Sequence, residues 1–291
     1  MSKLSHRAML MTLNIRLWKA TATDRSVAIQ AELSNSAESG TMTVIKKLAP
    51  KHVIAPIGMI ARIGREEHYK LTLPGLVTGQ HLLPTAAFER YMMTQREIKE
   101  NFFNAVENFL VVYPEIVAKA PKRLGGANRA SDFPSTTVIR SYFDYNYHPS
   151  PVPEVTDWRL DDEVSSVDQE QMRSEITASV EGMYAKATAE VFSQCQEWLE
   201  KLKTQAENYN VRAPGAMLRD ATIENMQEFV DIVQSMNITG DPKLTAVIVD
   251  MRKFSKVAGE ELRKSEEKRT EVADLAGSIL AKINKNKGLA V

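Results

Sequence analysis

The feature that most constrains this chain is an apolar stripe in its second half. Met172, Ile176, Val180, Met183, Ala187, Val191, Cys195, Trp198 and Leu202 recur in eight steps of three or four residues, thirty residues at a mean step of 3.75. That period belongs to one long, nearly straight helix, with Asp168 placed to cap it. At about 1.5 Å per residue a helix of some 40 residues spans roughly 60 Å, wider than a compact domain, so it must pair with another long helix. Ile223, Met226, Val230, Val233 and Met236 predict a shorter helix, closed by Thr239-Gly240-Asp241-Pro242. Leu244 to Val257 continues helical. From Glu260 to Glu271 the chain is dense in charge, and Glu260–Lys264 and Arg263–Glu267 at four-residue spacing predict an exposed helix. Leu275, Ile279 and Ile283 restore an apolar stripe ahead of a small basic tail, Lys282 to Lys287.

The first 160 residues follow other rules. From Met11 to Trp18, Leu13, Ile15 and Leu17 alternate with Asn14, Arg16 and Trp18, the period of a half-buried strand. Asp24 to Glu38 predicts a short helix capped by Thr23 or Asp24. Pro50, Pro56, Gly58, Gly64, Pro74, Gly75, Gly79 and Pro84 then crowd the stretch from Lys46 to Phe88, so Val53–Ile63 and His68–Leu73 are expected as short strands joined by turns. Ala86 to Tyr113 has helical periodicity through Phe88, Tyr91, Ile98, Phe102, Val106 and Phe109, and Pro114 is expected to end or kink it. Lys119–Ser135 reads as a basic loop, Val138–Tyr147 as an aromatic strand, and His148–Pro153 as a boundary. The expected fold is therefore α+β and predominantly α-helical, with a small mixed β region in the N-terminal half and long antiparallel helices in the C-terminal half. Two regions are expected: a basic α+β region, 1–160, as the nucleic-acid-binding candidate, and a long-helix region, 161–291, as an oligomer or partner surface.

Several chemistries are excluded. The single cysteine, Cys195, rules out an intramolecular disulfide, a Cys-based zinc site and a CxxC pair, and its place on the apolar stripe marks it as a core thiol. No run approaches the roughly 18–20 apolar residues needed to span a membrane, and no secretory signal is expected. The chain carries no GxxxxGK[ST], GxGxxG after a strand, HExxH or GxSxG. His6, His52, His68, His81 and His148 lack helical pairing distances. The expectation is a protein that is not an enzyme and needs no cofactor or metal. Asp161-Asp162-Glu163 is either a cation site or a solvated acidic turn.

Charge separates the halves. The totals balance at 37 Lys+Arg and 37 Asp+Glu, but residues 1–150 hold 19 against 12, a net of +7, leaving 18 against 25, a net of −7. Either the basic half faces a polyanion or the imbalance reflects uneven helix surfaces. The candidate nucleic-acid-binding residues lie in that half: Lys46, Lys47 and Lys51; Arg62, Arg65, Tyr69 and Lys70; Lys122, Arg123 and Arg129 around Gly125-Gly126; and Arg140, Tyr142 and Tyr145. Cations neutralise phosphates, and exposed aromatic faces stack on unpaired bases whatever their identity. Strand alternation puts Ile139, Phe143, Tyr145 and Tyr147 on one face and Arg140, Tyr142 and Asp144 on the other. One face must fill the core.

The order of segments also resembles a family of tailed-phage and mobile-element proteins of mostly unassigned function. The matching stretches are LNIRLW from Leu13, AFERYMMTQREIKENFFNAVENFLVVYPEIV from Ala87, YFDYNYHPSPVPEVTDWRLDD from Tyr142, and LRDATIENMQEFVDIVQSMNITGDPKL from Leu218. One type that the chain looks like is the single-stranded-DNA-binding RNA polymerase cofactor of podoviruses that carry a giant virion polymerase. The resemblance implies binding to locally melted promoters in the host cytoplasm, with single-stranded DNA and the phage RNA polymerase as partners and a homo-oligomer as an option. It supplies no binding residues, and the chain lacks the five-short-strand pattern of an OB-fold. The alternative is a helical assembly or adaptor protein, a ring-ATPase partner or virion component, with no nucleic-acid role.

Overall fold

Apolar residues near the start form strand β1 (Ala8–Arg16) in the computed structural model. The structure describes residues 6–154, 166–209, 220–256 and 259–287. After β1 come strand β2 (Thr21–Thr23), helix α1 (Arg25–Ser34), strand β3 (Ile45–Lys47), helix α2 (Lys51–Leu71), and strands β4 (Leu73–Pro74) and β5 (Gln80–Pro84). Helix α3 (Phe88–Leu124), helix α4 (Thr136–Arg140) and strand β6 (Asp144–Ser150) complete the mixed part. Helices α5 (Ser166–Glu207), α6 (Asp220–Met236), α7 (Pro242–Met251), α8 (Gly259–Lys264) and α9 (Glu266–Lys287) follow. The fold is α+β and predominantly helical, with long helices in the C-terminal half.

The chain divides into two compact units, and the division is discontinuous, unlike a single cut at residue 160. One unit holds Met1–Thr12, Leu71–Arg90 and Pro149–Val291; the other holds Leu13–Lys70 and Tyr91–His148. The strand order is β4-β5-β1-β6, so β1 contributes to both units along its length.

In the first unit, β1 pairs antiparallel with β5 from Ala8↔Pro84 to Thr12↔Gln80, and β5 pairs with β4. The long helix is as expected: α5 runs 42 residues and buries Met183, Ala187, Val191, Cys195, Leu199 and Leu202. Its first turn begins at Ser166, so Asp168 lies inside that turn, where its charge favours the helix dipole. α5 packs along α9, whose Val272, Ala276, Ile279 and Ile283 are buried. Trp198 is half-buried and stacks on Phe229 of α6, with ring centroids 5.2 Å apart. Burial pushes the Cys195 thiol up to about 12, which keeps it a neutral core group. The charge-dense segment is not one helix. Ser265 interrupts it, its hydroxyl accepting the Lys268 amide at 3.2 Å as a cap, so the Arg263–Glu267 spacing straddles two helices.

The second unit corrects the expectation of short strands after Lys46. α2 is a 21-residue helix that passes through Pro56. Its buried positions are Ile57, Ala61, Gly64, His68 and Leu71, fourteen residues in four steps, a 3.5-residue period that outweighs the count of breakers. Pro56, the sixth residue of the helix, lies on the exposed side, where water can satisfy the His52 carbonyl left without its amide. Gly64 is there for closeness: a Cβ would sit 2.2 Å from the Tyr145 hydroxyl. α3 is likewise longer than expected, 37 residues through both Pro114 and Pro121, so Pro114 does not end it and Lys119–Leu124 is helical instead of loop.

Three contacts show that α2 and α3 run antiparallel. Arg123 bonds the Lys47 carbonyl ahead of α2, Gln95 Nε2 donates to the Gly64 carbonyl at 3.1 Å, and His68 Nδ1 meets the Tyr91 hydroxyl at 2.8 Å. Between the helices the core forms around Phe102, Val106, Phe109 and Tyr113 of α3, with Ile57, Ala61, Ile139, Phe143 and Tyr145. Phe102 is completely buried against Tyr145, centroids 5.4 Å apart. Burying each such side chain contributes about 1.5–3 kcal/mol. The aromatic strand begins later than expected: Thr136–Arg140 is the short helix α4, capped by Ser135, and β6 starts at Asp144. Ile139, Phe143 and Tyr145 are buried and Arg140 and Tyr142 exposed, as the expected split has it, but Tyr147 and Asp144 are both half-buried and only the residues from Asp144 on owe their placement to a strand.

Candidate nucleic-acid interface

The last turn of α3 carries Lys122 and Arg123, cations that the helix C-terminus favours. Arg123 Nη1 donates to the Lys47 carbonyl at 2.6 Å and Nη2 to the Leu48 carbonyl, tying the end of α3 to the β3–α2 junction. That tie gathers residues from two distant stretches of sequence. Lys47, Lys51 and Lys122 are all exposed there, and Arg129 stands on the turn that follows α3. Arg129 donates to the carbonyls of Gly126 (3.0 Å) and Asn128 (3.2 Å), so its guanidinium closes the Gly125-Gly126 turn. By sequence the second unit holds sixteen Lys and Arg against eleven Asp and Glu, a net of +5, leaving 21 against 26, a net of −5.

Lys46 does not belong to this surface. Alternation along β3 turns it opposite Lys47, and it is buried at 8% exposure. Its ammonium donates to Asp24 at 3.1 Å and to the Ala127 carbonyl at 2.8 Å, and it is paired with the Asp132 carboxylate at 2.6 Å. A phosphate would have to displace two carboxylates to reach it. The node instead clasps the turn after α3 to the cap of α1, since Asp24 also accepts the Ser26 hydroxyl at 2.6 Å and the Val27 amide at 3.3 Å.

Those contacts, the Ser26 bond foremost and the Lys46 bond next, hold the Asp24 carboxyl well below the usual carboxylate range. Asp132 first, against desolvation, and then Asp24 raise Lys46. A carboxyl depressed in the folded state adds stability that is full above its unfolded pKa, about 3.9, and is lost as pH falls through the folded value. A raised lysine adds stability that is full below its unfolded pKa, about 10.4, and is lost as pH rises beyond it. Lys46→Met is therefore expected to melt below the wild type throughout the neutral range, with the gap closing in strong acid. Melting temperatures across pH test this; a gap independent of pH would assign the loss to packing.

The remaining candidates are dispersed. Arg62 pairs with Glu66 at 2.6 Å and Lys70 with Glu67 at 3.6 Å, both on the exposed side of α2. Arg65 donates to the Ile15 carbonyl at 3.1 Å and fastens α2 to β1. Tyr69 is 56% exposed, but it lies eighteen residues beyond Lys51 on one helix, about 27 Å from the basic edge. Tyr145 is a second correction. It is completely buried, its hydroxyl donates to Gln95 Oε1 at 2.6 Å, and burial holds its phenol far above the ordinary range, so no base can stack on it. Tyr142 is 42% exposed, and Arg140 beside it pairs with Glu107 at 2.6 Å.

The sequence reading missed the Asp24–Lys46–Asp132 node and the Gly64–Gln95–Tyr145 network. The 3.5-residue recurrence from Ile57 to Leu71 was the available signal for the second, because it puts Gly64 on the inner face. Asp161-Asp162-Glu163 lies outside the described residues. Among the described residues no group of three or more His, Cys, Asp or Glu side chains could hold a metal, and no helix is long and apolar enough to cross a membrane. No protein-family model, curated protein or solved structure matches the chain.

Proposed function

We propose that the second unit binds single-stranded DNA without sequence preference through the edge formed by Lys47, Lys51, Lys122 and Arg129. The protein then acts as a non-enzymatic phage transcription cofactor in the host cytoplasm, bringing RNA polymerase to melted promoters. The carrying observation is the Arg123 tie, which brings the end of α3 to the β3–α2 junction and sets the exposed Lys47, Lys51 and Lys122 beside one another. Phosphates meeting those ammonium groups would release counterions, so binding should fall steeply with salt. The order of phage-like segments supports the transcription role, and the acidic unit offers a surface of opposite charge for a protein partner.

Fluorescence anisotropy with a labelled single strand and its duplex, at several salt concentrations, tests the reading. The expected result is tighter binding to the single strand with a log–log slope of about −0.7 per neutralised phosphate. Equal binding to both forms would reduce the site to general electrostatics, and no binding at low salt would remove it.

One observation favours the assembly reading. α5 is 42 residues long and α9 only 22, and Met172, Ile176 and Val180 continue the apolar stripe of α5 while only half-buried. A mass that rises with protein concentration and is indifferent to DNA would favour that function.

A further inference from the structure

We infer that a bound single strand runs from the basic edge along the outer face of α3 to a stacking subsite at Tyr142, and that this subsite confers the preference for single strands. The inference rests on the DNA-binding reading above and names where the bases go.

Helical phase lays out the track. Lys122 follows Val111 by eleven residues, close to three full turns at 3.6 residues each, so the two side chains leave α3 in nearly the same direction. Asn104, Val111, Glu115, Ala118 and Lys122 are all exposed on that face, and Val111 is 78% exposed, an uncharged stretch of wall between the two ends. Glu115 lies on the track, but its carboxylate is paired with Lys119 at 2.5 Å. Glu107 marks the far end, fifteen residues before Lys122 and so about 22 Å away. That is the scale of a short oligonucleotide site, which in single-strand binders covers roughly 4–16 nucleotides.

Tyr142 stands at that far end, two residues from both Arg140 and Asp144 and next to Ser141. Arg140 pairs with Glu107 at 2.6 Å, with side chains 64% and 46% exposed. Arg16 pairs with Asp144 at 3.6 Å, with side chains 65% and 31% exposed, and it reaches the Ser141 carbonyl at 3.5 Å. Ion pairs this open to water are weak, so either arginine can exchange its carboxylate for a phosphate at little cost. Tyr142 and Val138 are exposed at 42% and 43%, whereas neighbouring Phe143 and Tyr145 are buried. The segment thus turns one aromatic ring outward where two arginines can hold the backbone. An aromatic face accepts only an unstacked base, which a duplex does not present.

Tyr142→Ala and Tyr142→Phe, compared by anisotropy on oligothymidylates of about three and twelve nucleotides, test the inference. The alanine variant is expected to bind the twelve-nucleotide strand about tenfold more weakly, and the phenylalanine variant to keep wild-type affinity, because stacking needs the ring and not the hydroxyl. The salt slope should not change, since no ion pair to phosphate is removed. Affinity for the three-nucleotide strand and for duplex should stay the same, so the single-strand preference shrinks. Unchanged circular dichroism confirms an intact fold. Wild-type affinity for the long strand in Tyr142→Ala overturns the inference while leaving the DNA-binding reading in place. A wild-type protein that binds no strand at low salt overturns both.

Discussion

The triple variant Lys47→Glu, Lys51→Glu, Lys122→Glu is expected to bind single-stranded DNA about 100-fold more weakly near physiological salt, with a log–log salt slope shallower by about 2. Each lysine that neutralises a phosphate of a single strand contributes about 0.7 to the slope, so losing three removes close to 2, and the introduced carboxylates add repulsion. The fold should survive these changes. All three side chains are exposed, and the Arg123 tie uses the backbone carbonyls of Lys47 and Leu48 instead of any lysine side chain. Reversing Arg62 and Lys70 makes the matched control, because both already have acidic neighbours on α2 far from the edge. An unchanged slope in the triple variant, or an equal loss in the control, would take the binding surface away from the end of α3.

Gly64→Ala is expected to lower stability of the second unit by about 3 kcal/mol. The added methyl would lie 2.2 Å from the Tyr145 hydroxyl and about 3 Å from two ring carbons, so the ring must move. Overpacking of this kind costs about 1–3 kcal/mol. Moving the ring also breaks the bond from its hydroxyl to Gln95, which leaves buried polar groups unmatched at about 1–3 kcal/mol more. Replacing a helical glycine returns about 1 kcal/mol. Hydrogen exchange in α2 and α3 under mild denaturant reads the difference. Combining Gly64→Ala with Tyr145→Phe should cost less than the two separately, because the second change removes the atom that clashes. Strict additivity would mean that the methyl is accommodated elsewhere.

Legibility varied with the kind of information each element needed. α5 could be read from local period because eight consecutive steps agree and Gly182 is the one breaker among them. α2 could not be read the same way when Pro56, Gly58 and Gly64 were weighed as breakers, since what makes Gly64 acceptable is a tyrosine 81 positions later. Alternation set Tyr142 and Tyr145 apart but did not say which would face inward; Tyr142 is exposed in the turn ahead of β6, and Tyr145 is buried by packing against Phe102. Lys46 and Lys47 show the limit. Alternation says that one of the pair faces inward, but what makes burial of Lys46 tolerable is Asp24 and Asp132, 22 and 86 positions away, and nothing local announces them. The basic edge was legible as composition and illegible as a place, because Arg123 assembles it by bonding to carbonyls that every residue possesses.

The discontinuous division has a consequence for how the chain is made. Every residue of the second unit has been synthesised by His148, so that unit can condense while ribosomes are still adding the long helices. The first unit has to wait. Arg7 donates to the carbonyl of Ile238, 231 positions later, and Arg90 bonds Glu228, 138 positions later. Loops that long make closure slow, and they keep the opening half of β1 and the β4–β5 hairpin waiting until translation is nearly complete. A nascent chain stalled far enough past His148 for the second unit to clear the ribosome could thus carry the basic edge while still tethered to segments that have nothing yet to fold against.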